Sequence, residues 1–305
     1  ITGVFDPGGY NFPLDAYQTL WKIRDQKELT IRIAYSLSAP KKDSELFDFQ
    51  RMIQRLPQDD EYLRWNGIGE NVTWGMYNNE SPQPKDQEVL KEVLDWAAKE
   101  KITATFHWNN NLTIQSLLDV IEQVQLKHPI KDLRWSIAHI NNISSATLQK
   151  MQQLHLGWLA QNALYFQAKS FSEMYGLDSL KNSPNFKYAI EQRIPIGFGT
   201  DAHRVMGFNP FDAIEWLVTG KSVDGHQGRE SSQRLDRFTA IDLYTKGSAY
   251  FLPDSRLRGE LSTGSYADLA ILNQNIFTIP EEKIHETKAE LTMVGGRVVY
   301  KNKSF

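Results

Sequence analysis

The sequence predicts an α/β chain: a (β/α) barrel missing one unit, followed by a small β appendage at the C-terminal end. Three observations carry that prediction. Short apolar runs alternate with amphipathic helical stretches seven times over residues 1–252. Strands separated by helices of this length need crossover connections, which make the sheet parallel. From residue 253 to 305 the pattern changes to strand-rich segments with a Gly295-Gly296 turn, and this part reads as the β appendage. An open doubly wound sheet is the structural alternative, but no Gly-x-Gly-x-x-Gly turn follows any of the runs.

The elements follow in order. Ile1–Phe5 reads as a strand, with Pro7-Gly8-Gly9 as the turn behind it, and Leu14–Gln26 as a helix with Leu14, Tyr17, Leu20 and Trp21 on one side. In Leu29–Leu37, Ile31, Ile33 and Tyr35 alternate with Arg32 and Ala34, a strand period. Ser44–Leu56 is helical through Phe47, Met52, Ile53 and Leu56. Arg64–Val72 is a weaker, glycine-rich strand, 78–85 is loop, and Asp86–Lys99 is a helix through Val89, Leu90, Val93, Leu94 and Ala97.

The second half repeats the pattern more clearly. Strands are expected at Ile102–Trp108, Leu133–Ile140 and Leu156–Gln161, with helices at Asn111–Leu126 and Ala146–Leu154, the latter capped by Ser144 or Ser145. A loop and a helix reach Gln192, and Ile194–Gly199 is the next strand. Asn209 then fits an N-cap, Pro210 the first helical position, and Phe211, Ile214, Leu217 and Val218 an apolar face. Thr239–Phe251 is the last long helix. Gly259–Leu272 and Ala289–Tyr300 supply the strands of the appendage.

Three of these strands end in a residue able to bind a metal: His107, His139 and Asp201. Strand ends converge on one face of a parallel barrel, where such enzymes keep their chemistry. Two imidazoles and a carboxylate there make an open hydrolytic metal site. A lone His at a strand end is more often a hydrogen-bonded core group than a ligand, and Asp201 by itself reads equally well as a cap on the loop behind its strand. Three in the same structural position argue for the site. His128, His155, His226 and His285 fall in helix-end or loop contexts and read as surface residues, while His203 lies in the loop behind Asp201, within reach of substrate.

Composition excludes several classes. The net charge of −3 leaves no basic footprint for nucleic acid. No apolar run is long enough to cross a membrane and the sequence as it stands shows no signal peptide, so a cytoplasmic location is expected, with a secreted parent as the alternative because the N-terminus reads as missing. With no cysteine, thiolate ligands, disulfides and Cys nucleophiles are ruled out, and any metal must be held by His and carboxylate. The opening on Ile1, directly inside a strand-like run, suggests a piece of something longer.

The order His107, His139 in Arg134-Trp-Ser-Ile-Ala-His139, Asp201 in Gly199-Thr-Asp-Ala202, Gly259-x-Leu-x-x-Gly-x-x-Ala-Asp-Leu-Ala-Ile-Leu272 and Thr292-Met-Val-Gly-Gly-Arg-Val-Val-Tyr300 resembles the amidohydrolase superfamily, and within it amidohydrolase family 3. The resemblance runs from Ile1 to about Lys301. It implies a (β/α)8 barrel with a β-sandwich, a divalent metal, one or two zinc ions, and hydrolysis of carbon–nitrogen bonds other than peptide bonds in a small amide or imide. His107 and His139 match the family's metal-binding histidines, and Asp201 its metal-bound, proton-shuttling aspartate. The His-x-His of the family's first strand has no counterpart. The position that often carries a carboxylated lysine falls on Gly69 or Glu70, so Glu70 is a candidate ligand that depends on strand register.

Trp108, with His203 and Arg204, is expected on the substrate side, and Trp65 and Trp74 lie near enough to strand ends to line the same pocket. A homo-oligomer is compatible with the family. The competing reading is a non-catalytic member or an inactive fragment used for binding or regulation.

Overall fold

The computed structural model describes residues 1–9, 13–77, 81–202 and 206–305. The chain forms an α/β fold in two compact units: residues 1–138 with 149–157, and residues 139–148 with 158–305.

The first unit opens with β1 (Gly3–Asp6), α1 (Gln18–Asp25), β2 (Arg32–Leu37), α2 (Glu45–Ile53) and β3 (Leu63–Ile68). The three strands form a parallel sheet in the order β1-β2-β3. The alternation in β2 predicts one polar face, yet Arg32 is fully buried. Its guanidinium donates to the Glu61 carbonyl at 2.9 Å, pairs with the Glu61 carboxylate at 3.2 Å and lies 4.7 Å from the centre of the Tyr62 ring. Parallel strands are covered on both faces, so a charge there needs such partners. On the same strand Tyr35 stacks on Tyr17 with ring centres 4.5 Å apart.

The predicted strand Arg64–Val72 is shorter, because the ladder ends at Ile68. Gly67 (φ 141°) and Gly69 (φ 151°) hold backbone that side chains disfavour, and a Cβ on Gly67 would stand 2.2 Å from the Thr103 carbonyl oxygen. The chain then passes to α3 (Pro84–Lys99), β4 (Thr105–Trp108), α4 (Gln115–Lys127) and β5 (Ser136–His139). Helix α3 begins two residues before the expected Asp86. Pro84 takes the first helical position, and Asp86 accepts the Gln83 N–H in a capping box. Helix α4 begins four residues later than expected, because the Asn110 side chain accepts the Leu112 N–H and holds that stretch as a turn. The Ser136 N–H donates to the Ala104 carbonyl, and the Thr105 and Ser136 hydroxyls hydrogen-bond at 2.9 Å, which sets β5 beside β4.

Gly8 closes the tip of β1. Its φ is +94°, and a Cβ there would sit 1.7 Å from the Gly69 carbonyl oxygen and 2.5 Å from Ser38 Oγ. Gly8→Ala should therefore cost on the order of 3 kcal/mol. Gly225, also at positive φ (+80°) but with nothing near its would-be Cβ, should cost about 1 kcal/mol when changed to alanine. Urea unfolding of the two variants checks this; equal losses would show that φ alone sets the cost.

After α5 (Ser145–Gln153), β6 (Gly157–Gln161), α6 (Ala163–Tyr175), α7 (Phe186–Glu191), β7 (Ile196–Gly199), α8 (Pro210–Thr219) and α9 (Arg237–Asp242) follow. Strands β6 and β7 pair in parallel. The second unit's core is aromatic: Phe186 packs against Trp158, Phe198 and Trp216 with ring centres 5.0, 5.5 and 6.2 Å away. Helix α8 follows the sequence prediction closely. The Asn209 side chain accepts the Phe211 N–H, Pro210 is first, and Gly220 ends the helix at φ 72°. The last helix differs from its expected Thr239–Phe251. It starts at Arg237, capped by Asp236, and its middle, Leu243–Gly247, is a π-type turn. There Gly247 lies against the Ile196 backbone, where a Cβ would be 2.3 Å from the Ile196 carbonyl oxygen.

The C-terminal strands β8 (Leu269–Leu272), β9 (Ala289–Val294) and β10 (Arg297–Lys301) make one antiparallel sheet, ordered β10-β9-β8. Only the end of the predicted Gly259–Leu272 strand is extended. Both Gly295 (φ 59°) and Gly296 (φ 76°) have the positive φ that a two-residue hairpin of type I′ requires. Asp268 accepts the Gly295 N–H at 2.7 Å, which ties the Ala-Asp-Leu segment to that turn.

Nearby, the imidazole of His285 lies 2.6 Å from the Glu215 carboxylate on α8. That hydrogen bond raises the His285 pKa against a smaller opposing push from burial. A pKa raised by folding stabilises below the unfolded value of about 6.5, and the gain is lost as pH rises through the folded value. The pair is partly exposed and its worth is small. His285→Gln should flatten the fall of stability between about pH 6 and 8, read by urea unfolding; an unchanged slope would remove the pair from the pH response. Among the described residues no helix is long and apolar enough to cross a membrane.

Candidate metal centre

In the first unit the strand ends carry the polar groups. Asp6 is the last residue of β1, Ser38 follows β2, Glu70 lies two residues beyond β3, and His107 is the third residue of β4. The His107 N–H donates to the Glu70 carbonyl at 3.2 Å, and the imidazole Nδ1 stands 3.0 Å from Glu70 Oε2. A carboxylate only accepts, so this contact puts the ring proton on Nδ1 and the lone pair on Nε2. Asn109 Nδ2 donates to that Nε2 at 3.1 Å. Tyr77 stacks on the ring with centres 4.6 Å apart. A carboxylate behind an imidazole whose other nitrogen keeps a lone pair is the arrangement that orients metal-binding histidines.

Around the pair, Gly8 donates its N–H to Asp6 Oδ1 at 3.0 Å, Gly9 donates to Ser38 Oγ at 2.8 Å, and the Ser38 hydroxyl donates to the Gly69 carbonyl at 2.6 Å. Burial pushes the Asp6 carboxyl pKa up. The Gly8 N–H partly opposes this, and the negative Glu70 adds to it. A small cavity of about 10 Å³ beside the pair is walled by Val72, Met76, Tyr77 and Trp108.

In the second unit His139 ends β5 with φ 77°, followed by Ile140 at φ 46°. Two consecutive left-handed residues end the strand geometry and redirect the side chain. Trp158 Nε1 donates to the His139 carbonyl at 2.7 Å, and the Gln161 amide contacts His139 Nδ1. Asp201 Oδ2 lies 4.0 Å from the same nitrogen. Asp201 itself takes φ 52° two residues past β7, and its side chain is about one-third exposed.

The sequence-predicted residues therefore fall as follows. Glu70 is next to His107, and Asp201 is next to His139. Trp108 is buried, its indole N–H bound to the Asn110 carbonyl at 3.0 Å. Trp65 and Trp74 donate their indole N–H groups to the Gly67 and Ala39 carbonyls, at 2.6 and 3.0 Å. His203 and Arg204 lie outside the described residues. Sequence reasoning missed Asp6, Asn109 and Gln161. Asp6 and Gln161 each close an apolar strand with a polar side chain, the same signal that singles out His139. Asn109 carried no such signal.

The profile of the Amidohydrolase family matches residues 1–300. A proposed amidohydrolase, YtcJ, of Bacillus subtilis (strain 168) is 26% identical over 224 residues, which cover 72% of this chain and 41% of that protein. The chain thus spans less than half the length of that relative. An uncharacterized metal-dependent hydrolase from Pyrococcus horikoshii OT3 superposes with a TM-score of 0.67 at 17% identity, over 92% of this chain and 57% of that one. A point variant of the atrazine chlorohydrolase TrzN from Arthrobacter aurescens TC1, complexed with zinc and atraton, gives 0.66 at 17% identity, over 99% and 69%. At such identities the structural likenesses speak for the fold, while the profile match spans nearly every residue. The chain belongs to the amidohydrolase family.

Proposed function

We propose that this chain carries the hydrolytic site of a metal-dependent enzyme acting on a carbon–nitrogen bond other than a peptide bond, in a small amide or imide. The observation that carries the reading is the His107–Glu70 pair: an imidazole at a strand end, held by a carboxylate with its Nε2 lone pair directed away. In this reading His107, His139, Glu70 and Asp201 are the metal ligands. The donor set, two imidazoles and two carboxylates without a thiolate, suits a divalent ion, and zinc best. The zinc in the TrzN variant supports the same choice.

A bound divalent ion supplies Lewis-acid chemistry, polarising a carbonyl and making water more acidic. The protein's own part is positional and acid–base. Glu70 keeps the His107 lone pair on Nε2. Gln161 presents either its carbonyl or its amino group to His139 Nδ1, which suits either tautomer of that ring. Asp201 accepts a proton from water and returns it to the leaving nitrogen. Trp108, His203 and Arg204 are assigned to the substrate side. The architecture inferred with this reading is a (β/α) barrel over 1–252 without its first strand, and a β-sandwich over 253–305.

The test is metal analysis and hydrolysis together, on the whole protein with whatever precedes Ile1. It should purify with a divalent ion. Chelation should abolish hydrolysis of N-acyl amides or cyclic imides, and zinc should restore it. Protein that holds no metal and hydrolyses nothing, yet binds such compounds, would favour the non-catalytic reading instead.

A further inference from the structure

Arg229 stands in the second unit, and among the described residues no carboxylate pairs with it. Its side chain is almost wholly buried. Nη2 donates to the Gln233 carbonyl at 2.6 Å and, more weakly, to the Pro184 carbonyl at 3.4 Å. The guanidinium carbon lies 5.1 Å from the ring centre of Phe186 and 5.2 Å from that of Trp216. Among the described residues Nε and Nη1 have no hydrogen-bond partner. Burial pushes its pKa down to about 9, still above neutral pH, so the group is a cation where it stands.

A buried cation without an opposite charge is strongly disfavoured, and so are buried N–H groups without acceptors. Aromatic faces and two carbonyls offset part of this. They do not supply a negative charge, nor acceptors for Nε and Nη1. Arg229 lines a small cavity of about 10 Å³ together with Leu164, Leu180, Trp216, Gly220 and Ser222. A space of this size admits one atom-sized guest and excludes an oxyanion with several oxygens.

We infer that Arg229 and this cavity form a binding site for one halide ion, chloride under ordinary conditions. A water molecule would accept hydrogen bonds there but leave the charge uncompensated; a halide does both. The ion joins three segments: the turn Leu180–Pro184, the C-terminal end of α8 at Gly220, and the return at Gly228–Gln233. Its role is structural, fastening the long connection between α8 and α9.

Two measurements on the whole protein test this, with bromide and chloride as the probes. In crystals grown or soaked in bromide, an anomalous peak is expected in the cavity beside Arg229. Thermal unfolding at constant ionic strength, with gluconate replaced stepwise by chloride, should show a midpoint that rises by several degrees and saturates, as for a ligand of the native state. Arg229→Met should lose that chloride dependence. A bromide map without a peak in the cavity overturns the proposal, as does a chloride response identical in Arg229→Met. Should Arg229→Met not fold, the bromide map of the unaltered protein decides alone.

Discussion

Asp201→Asn is expected to lower turnover by roughly 100- to 10,000-fold while leaving the thermal midpoint nearly unchanged. The amide is close to the carboxylate in size, but it does not take up and return a proton at neutral pH. The backbone also tolerates the change. Asp201 sits at φ 52°, a left-handed conformation that asparagine adopts at least as readily as aspartate. The side chain is about one-third exposed, and the buried His139 beside it keeps its contact with the Gln161 amide. If Asp201 served only to hold the loop behind β7, the same change would cost about 1 kcal/mol and spare activity. Measuring the thermal midpoint, bound metal and amide hydrolysis on this one variant separates the two. A destabilised variant that hydrolyses at the parental rate would refute the proton shuttle.

Glu70→Gln should weaken metal binding by about 10- to 100-fold. The glutamine carbonyl still accepts the His107 Nδ1–H, so the ring stays in place. The negative charge that strengthens His107 as a donor is gone, and so is a carboxylate ligand. Competition for zinc against a chromophoric chelator reads the affinity directly, without any substrate. Affinity equal to that of the parent would show that Glu70 only packs against His107, and the candidate centre would then have to be built without it.

How much of this was legible beforehand differs from element to element. Helix α8 was readable at its start, because Asn209 and Pro210 act through hydrogen bonds and backbone angles within a few residues of themselves. The Gly295-Gly296 hairpin was readable for the same reason. The residues at the strand ends stood out as a repeated signal: His107, His139 and Asp201 each close an apolar run. Glu70 was harder. A strand's two faces alternate, and the sequence left open whether Gly69 or Glu70 took the ligand position. In the tertiary structure, crowding sets Glu70 rather than Gly69 against His107. Gly69 is pressed against the Thr105 carbonyl, where a Cβ would be 2.5 Å away, and Glu70 is the first residue past the strand whose side chain reaches His107.

The strand–helix alternation, the start of α8, the C-terminal hairpin and the polar residues at the strand ends are all legible in the residues themselves. All of these rest on local periodicity and on hydrogen bonds between near neighbours. Which polar groups meet is a matter of long-range packing. It set Glu70 against His107 across 37 residues and Gln161 against His139 across 22. It buried Arg32 with the Glu61 carboxylate, and Arg229 between two aromatic rings with, among the described residues, no carboxylate. Those outcomes depend on how strands register and how helices pack over them, and the energy of each is settled by surroundings that no single segment of chain contains.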